Sequence, residues 1–332
     1  MSLPVSRAAK SPRITAEDRW KSLRIVSRGD VVYRIVLTAV ALVLPAVLLA
    51  LTLELVVNAW PAIKAFGPGF FTHSTWDPVI SRFGALPLIV GTLYSSFLAM
   101  LFAVPLALGV AIFLTEFAPR WLRRPVATLI ELLAAIPSVI YGLWGIFVLL
   151  PLLRDVVWPV IRPAVSWLPF FQGVFYGPSV LAGGIILAIM VLPYVAAVSR
   201  EVLLAVPPAQ REAALALGAT RWEAVWTVIL PYGRTGIIGA VMLGLGRALG
   251  ETMAVTMVIG NRHEISASVI EPGYTIAAAI ANEFAEAVTS MHLSALVYAG
   301  LVLFVITVIV NASARWLIWR VARGSAAGSS AI

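Results

Sequence analysis

Long runs without a charged residue constrain this chain more than any other feature. Ile35–Leu53, Phe83–Thr115, Leu132–Leu153, Pro163–Ser199 and Ala287–Ala314 contain no Asp, Glu, Lys or Arg, and Thr235–Asn261 contains only Arg247 and Glu251. A helix crossing the hydrocarbon core needs about 20 apolar residues. The runs therefore predict six spans, at 32–57, 86–114, 126–153, 179–204, 235–260 and 293–319. They are too long for barrel strands and do not alternate. The expected fold class is an all-α integral membrane protein with six transmembrane helices.

Composition agrees. Only 12% of the 332 residues are charged, about half the share of a soluble domain. An ordinary soluble enzyme and a disordered chain are excluded. No cysteine is present, which removes disulfides, thiol nucleophiles and thiolate metal sites. The three histidines, His73, His263 and His292, have no metal-ligand spacing, so no metal site and no cofactor on this chain is expected.

The net charge of +8 reflects membrane orientation rather than a nucleic-acid partner. Residues 1–34, 115–125, 200–234 and 315–332 hold 18 of the 24 Lys and Arg; the opposite loops hold Lys64, Arg82, Arg154, Arg162 and Arg262. Basic residues favour the cytoplasmic side, so both termini are expected inside a multi-pass protein of the cytoplasmic (inner) membrane. The basic stretch before the first run is too long for a cleavable signal peptide. It reads as a tail, 1–31, with a surface helix around Glu17–Ser27. Then follow the first helix and outer loop (32–85), a core of five helices (86–320) and a flexible Ser/Ala/Gly-rich tail (321–332). Trp20, Trp121, Trp316 and Trp319 read as interfacial anchors.

One cytoplasmic loop has its own pattern. Pro207 and Pro208 suit a helix start, Glu212 complements the helix dipole, and the segment from Ala213 to Leu217 continues as a short helix. Gly218 stops it with a left-handed turn. Thr220 and Glu223 form a capping box for a second helix that ends at Leu230, before Pro231. A solvated surface hairpin would show the same pattern. Glu212-Ala213-Ala214, then Gly218, then Leu230-Pro231 at this spacing also resembles the EAA loop of ABC-importer permeases. In that family the loop docks on a cytoplasmic ATPase. The chain cannot hydrolyse ATP itself, because none of its three lysines follows a glycine as a P-loop requires. It is not expected to be an enzyme; ATP and Mg belong to the partner.

The second discriminating feature is Arg247 with Glu251, expected near the membrane midplane on one helix face. Buried charge there costs about 2.5 kcal/mol or more and marks an ion or substrate path. The pair could simply neutralise itself. Alternatively, Arg247 offers its planar fork to an oxyanion while Glu251 orients or gates it. Around it, Gly244-Leu245-Gly246-Arg247-Ala248-Leu249-Gly250-Glu251-Thr252-Met253-Ala254-Val255 resembles the fifth-span signature of phosphate-importer permeases of the PstC type. Glu131–Gly145 and Phe83–Pro87 with Gly91-Thr92-Leu93 match too.

The resemblance covers about residues 70–320. It implies a type I ABC importer permease fold and an ATP-driven inorganic phosphate importer. Its partners would be a homologous second permease, a dimer of ATP-binding cassette ATPases and an extracytoplasmic phosphate-binding protein, with no nucleic acid. It further implies that Arg247 and Glu251 lie on the phosphate path, and that Glu212, Ala213, Ala214, Gly218, Leu230 and Pro231 couple to the ATPase. A sulfate or molybdate permease, or an ion-coupled transporter using Glu251 as proton site, remains as an alternative. So does a purely structural membrane scaffold. Glu131, placed within the third span, and Glu54 read as interfacial. Asp77-Pro78 reads as an outer turn, and Tyr274–Ala287 as an outer helix.

Overall fold

The computed structural model describes residues 28–329, with side chains from 31 to 320; the expected helix at Glu17–Ser27 and the anchor Trp20 lie outside the described residues. Among the described residues, six helical stretches are long and apolar enough to cross a membrane: Val31–Phe71, Leu86–Phe117, Ser138–Val165, Val180–Leu204, Arg221–Leu249 and Ser290–Arg320. The chain divides into a unit ending at Glu54 and a unit beginning at Leu55. The described part of the first is the leading half of helix α1 (Arg28–Phe66).

The second unit begins with the last turns of α1. A hairpin follows, β1 (Trp76–Asp77) paired antiparallel with β2 (Arg82–Phe83). The expected turn is present: Asp77 Oδ1 accepts from the Val79 and Ile80 amides at 2.8 and 3.3 Å. Next come α2 (Leu86–Ile112), α3 (Arg120–Ala135), α4 (Ser138–Trp144), α5 (Trp158–Val165) and α6 (Val180–Leu204). Then come α7 (Pro208–Ala216), α8 (Arg221–Ala224), α9 (Leu230–Leu249), α10 (Met253–Val258), α11 (Ile276–Glu283) and α12 (Ser290–Ser329).

The centre of the unit is α2 against α6. Ala99, Ala103, Ala107 and Ala111 recur every fourth residue of α2 and are all fully buried, so they form one stripe. Against lipid there is little hydrophobic drive to bring helices together, and association rests on close packing of small residues. The alanine stripe supplies it. At the hairpin end, the Ser294 hydroxyl donates to the Asn58 carbonyl at 2.8 Å and accepts from the Ala62 amide at 3.1 Å. That bond ties α12 to the last turns of α1.

Two spans are displaced from their expected positions. The third was placed at 126–153 but runs over 138–165, because Ile136 and Pro137 are extended and break the helix. The residues before the break form the separate helix α3, whose Glu131 is exposed. Arg154 and Arg162, read as outer-loop residues, therefore lie in this span. The fifth was placed at 235–260 but runs over Arg221–Leu249. Its second-helix start was expected to stop before Pro231; instead α8 passes through a π-helical turn, Val225–Ile229, directly into α9. The last helix continues to Ser329, into the stretch read as a tail.

Proline explains the continuity. Within a helix its ring clashes with the carbonyl four residues back and it lacks a donor, a cost of about 3 kcal/mol. Wider π turns occupy Phe113–Phe117, Gly145–Leu149, Leu152–Val157 and Val225–Ile229. Each ends two residues before a proline: Pro119, Pro151, Pro159 and Pro231. At Pro151, Pro159 and Pro231 the helix continues, and the extra residue moves the obstructing carbonyl aside and absorbs the missing hydrogen bond; before Pro119 the helix ends, with Ala118 extended.

Candidate functional site

The site is built where α3, α6 and α9 converge. Gly244 brings α9 against α6: a Cβ there would lie 2.6 Å from Val195 and 2.8 Å from Val191, so no larger residue fits. One turn further along α9, the Arg247 guanidinium carbon sits 4.4 Å above the ring centroid of Tyr194 on α6. The Tyr194 hydroxyl donates to the Ala134 carbonyl at 2.8 Å, and the Tyr141 hydroxyl of α4 donates to the Leu133 carbonyl at 2.8 Å. Both carbonyls are in the last turn of α3, where intrahelical donors run out. Two phenols therefore satisfy the end of α3, and one of them carries Arg247 on its face.

Stacking uses the face of a guanidinium and leaves its in-plane donors free. Arg247 Nε is buried without a hydrogen-bond partner among the described residues. A partly buried cation with an unused edge is suited to an oxyanion, which meets two donors of the planar fork at once.

Arg247 and Glu251 were expected on one face of one helix. The structure separates them: α9 ends at Leu249 with Gly250 as its cap, and Glu251 lies in the break before α10. The cause is local. Glycines at 246 and 250 weaken the end of the helix, and the apolar stretch read as one span covers two elements. Glu251 is 9% exposed, and among the described residues no ion pair joins it to Arg247. Glu131 lines a separate cleft of about 170 Å³ between α3 and α6, with Arg200 and Glu201.

At the end of the molecule carrying residues 205–220, the loop forms as the pattern dictates. Helix α7 is followed by Gly218 at φ +90°, a conformation costly for other residues. Thr220 and Glu223 make the expected capping box: Glu223 Oε2 accepts from the Thr220 amide at 2.7 Å, and Thr220 Oγ1 accepts from the Glu223 amide at 3.3 Å. Glu212 and Ala213 point out and are exposed, whereas Ala214 is buried. Leu230 and Pro231 do not end a helix; they lie inside the continuous one. Trp222 and Trp226 stand exposed beside the loop, their rings 5.6 Å apart.

The hairpin end contains a cluster that no sequence spacing announced. Glu283 accepts from Trp76 Nε1 at 2.8 Å and pairs with His292 Nε2 at 3.0 Å. His263 Nε2 lies 3.3 Å from its other oxygen, without hydrogen-bond geometry. The Trp76 and His263 rings stack at 5.8 Å. Burial pushes the Glu283 carboxyl up, but the contacts from His263, Trp76 and His292 outweigh it and hold the group below the ordinary carboxylate value. Burial also pushes the neighbouring Tyr274 phenol well up. Trp76, His263, Glu283 and His292 border a cavity of about 430 Å³.

Residues 103–323 match the model of the family described as the binding-protein-dependent transport system inner membrane component. The phosphate transport system permease protein PstC of Xylella fastidiosa (strain 9a5c) is 46% identical over 316 residues, 94% of this chain and 97% of that protein. PstC of Pasteurella multocida (strain Pm70) is 49% identical over 278 residues, 82% of this chain and 87% of its own. A probable PstC of Methanocaldococcus jannaschii is 40% identical over 260 residues, 76% and 82% of the two chains. A bacterial alginate ABC transporter, solved in complex with an alginate pentasaccharide-bound periplasmic protein, has a chain 19% identical with a TM-score of 0.59, covering 91% of this chain and 97% of that one. An inward-facing MetNI methionine ABC transporter chain is 18% identical with a TM-score of 0.53, covering 74% and 99%. At those identities the likeness bears on the fold alone. The fold, the loop and the sequence relatives agree: this chain belongs to the binding-protein-dependent transport system inner membrane components, among permeases of the PstC type.

Proposed function

We propose that the chain is a permease subunit of an ATP-driven importer of inorganic phosphate. The observation that carries this reading is Arg247, stacked on Tyr194 with an unpartnered buried Nε, in a chain whose relatives are named phosphate transport system permeases. Phosphate meets the guanidinium edge while the ring keeps its face covered. Glu251, detached from the end of α9, supplies a buried carboxylate beside the path that repels an anion from resting there, so that release follows binding.

The termini and the 205–220 loop face the cytoplasm, in keeping with the charge asymmetry. The outward face of α7, with Glu212 and Ala213, docks on an ATP-binding cassette ATPase. Ala214 anchors the helix from beneath, and Gly218 sets the turn. Leu230 and Pro231 act through the continuous helix, which links the loop to Arg247 with no hinge between them other than the π turn. ATP and Mg are bound by the ATPase dimer. A second homologous permease completes the path, and an extracytoplasmic phosphate-binding protein delivers the cargo to the hairpin end; the family's description as binding-protein-dependent supports that last partner.

Labelled-phosphate uptake in cells lacking the chain, with and without its restoration, tests the assignment. Restored uptake that excess sulfate or molybdate does not compete away is the expected result. Uptake that sulfate or molybdate competes away, or that fails to return, overturns phosphate as cargo.

A further inference from the structure

The loop helix α7 has an inner face as well as an outer one, and a single side chain dominates it. Arg211 Nη2 donates to the Leu203 carbonyl at 2.5 Å, in the last turns of α6. The same nitrogen lies 3.3 Å from Glu116 Oε1, in the π turn that ends the second span. Both side chains are largely covered, at 24% and 16% exposure. One arginine of the loop thus reaches the ends of two spans. Arg123, on α3 just after that π turn, is held by donating to the Ala118 carbonyl at 2.9 Å.

Two further observations bear on what this contact does. Beneath it, Ala111, Leu203, Val206, Val225 and Ile229 form one buried apolar cluster, so the spans and the loop already pack without an ion pair. The pair itself is not closed: Arg211 Nε and Glu116 Oε1 are buried and lack hydrogen-bond partners. A covered, incomplete pair adds little to stability, since desolvation offsets most of its attraction. It can shorten or open when α7 shifts.

We propose that Arg211 is a positioning residue that carries displacement of α7 to the second and fourth spans, through Glu116 and the Leu203 carbonyl. This rests on the reading of α7 as the ATPase dock. The two ideas use different faces of the helix, so this proposal can fail while the docking reading stands.

The test uses the complete transporter with its ATPase and second permease in proteoliposomes, reading phosphate taken up, ATP hydrolysed and ATPase co-purified. Arg211→Glu and Glu116→Arg are each expected to retain the ATPase but raise the ATP spent per phosphate by about fivefold or more. The double exchange is expected to bring that ratio part of the way back, through the pair with position 116 alone, since a glutamate at 211 cannot donate to the Leu203 carbonyl. A merely structural role would change the amount of assembled transporter and not this ratio. Single variants with an unchanged ratio overturn the proposal, and so does a double exchange as uncoupled as either single. If the reversals do not reach the membrane, Glu116→Gln decides: a raised ratio supports the proposal and an unchanged ratio overturns it. Glu212→Arg serves as the separate control on docking. Retained ATPase and retained ATP-driven uptake in that variant would remove the docking reading, and with it the ground for this one.

Discussion

At Arg247 the side chain is held by an aromatic face, and its edge is left for something else. Removing the guanidinium removes the proposed anion contact but not the helix packing, which depends on Gly244 and its neighbours. Arg247→Ala is therefore expected to reach the membrane at normal levels and to lose phosphate uptake; wild-type uptake by that variant would sink the role. Arg247→Lys keeps the charge but not the planar fork, so it should rescue only part of the rate. The second prediction at this scale concerns Glu283. Its carboxyl is held below the ordinary 4.5 of a glutamate, so its stabilising contribution is complete above that value and disappears as pH falls through the lower folded value. The gap in Tm between wild type and Glu283→Gln should accordingly be widest above about pH 4.5 and close under stronger acid. A gap constant across that range would show that the cluster is held by packing alone. Arg247 and Glu251 were visible in the sequence as charges in an apolar stretch, because burial of charge is costly wherever it occurs. Tyr194, Tyr141 and the Glu283 cluster were not. A tyrosine in a span carries no pattern, and Trp76 meets Glu283 across 207 residues of chain.

Among the elements, the loop hairpin was the most readable, since helix starts, glycine stops and capping boxes are local. Gly218 has open space around it, so only its backbone angle restricts what may replace it. Gly218→Val should cost about 1–2 kcal/mol at the turn and impair ATP-driven uptake, whereas Gly218→Asn, which tolerates the left-handed region, should retain most of it. Equal uptake by both variants would show that the turn is not needed in that shape. The spans were less readable at their ends. A count of apolar residues cannot see that Pro137 stops one helix while Pro231 is accommodated in another, because the difference lies in whether a wider turn precedes the ring. It also cannot see that Gly250 divides an apolar stretch into two elements.

The molecule as a whole offers a direct test of its orientation, because it lacks cysteine and any thiol introduced is the only one present. Val79 in the hairpin and Leu217 in the loop are 92% and 89% exposed. Val79→Cys should react with a membrane-impermeant maleimide on intact cells, and Leu217→Cys only after the membrane is opened. The reverse pattern would invert the protein. The number of spans was legible because hydrocarbon thickness sets it, and the boundaries shifted because polar ends and proline breaks are set by neighbours. The π turn at Val225–Ile229 has one more implication. It holds one residue beyond what a regular helix would, and a residue in a helix corresponds to about 100° of rotation. Deleting one residue there would leave the apolar content of the span almost unchanged. It would also swing the loop around the axis of α9, turning Trp222 and the α7 hairpin toward a different neighbour. The residue count from Gly218 to Arg247 thus fixes a bearing as well as a length, and an insertion or deletion in this span would mis-aim the loop while leaving both of its ends intact.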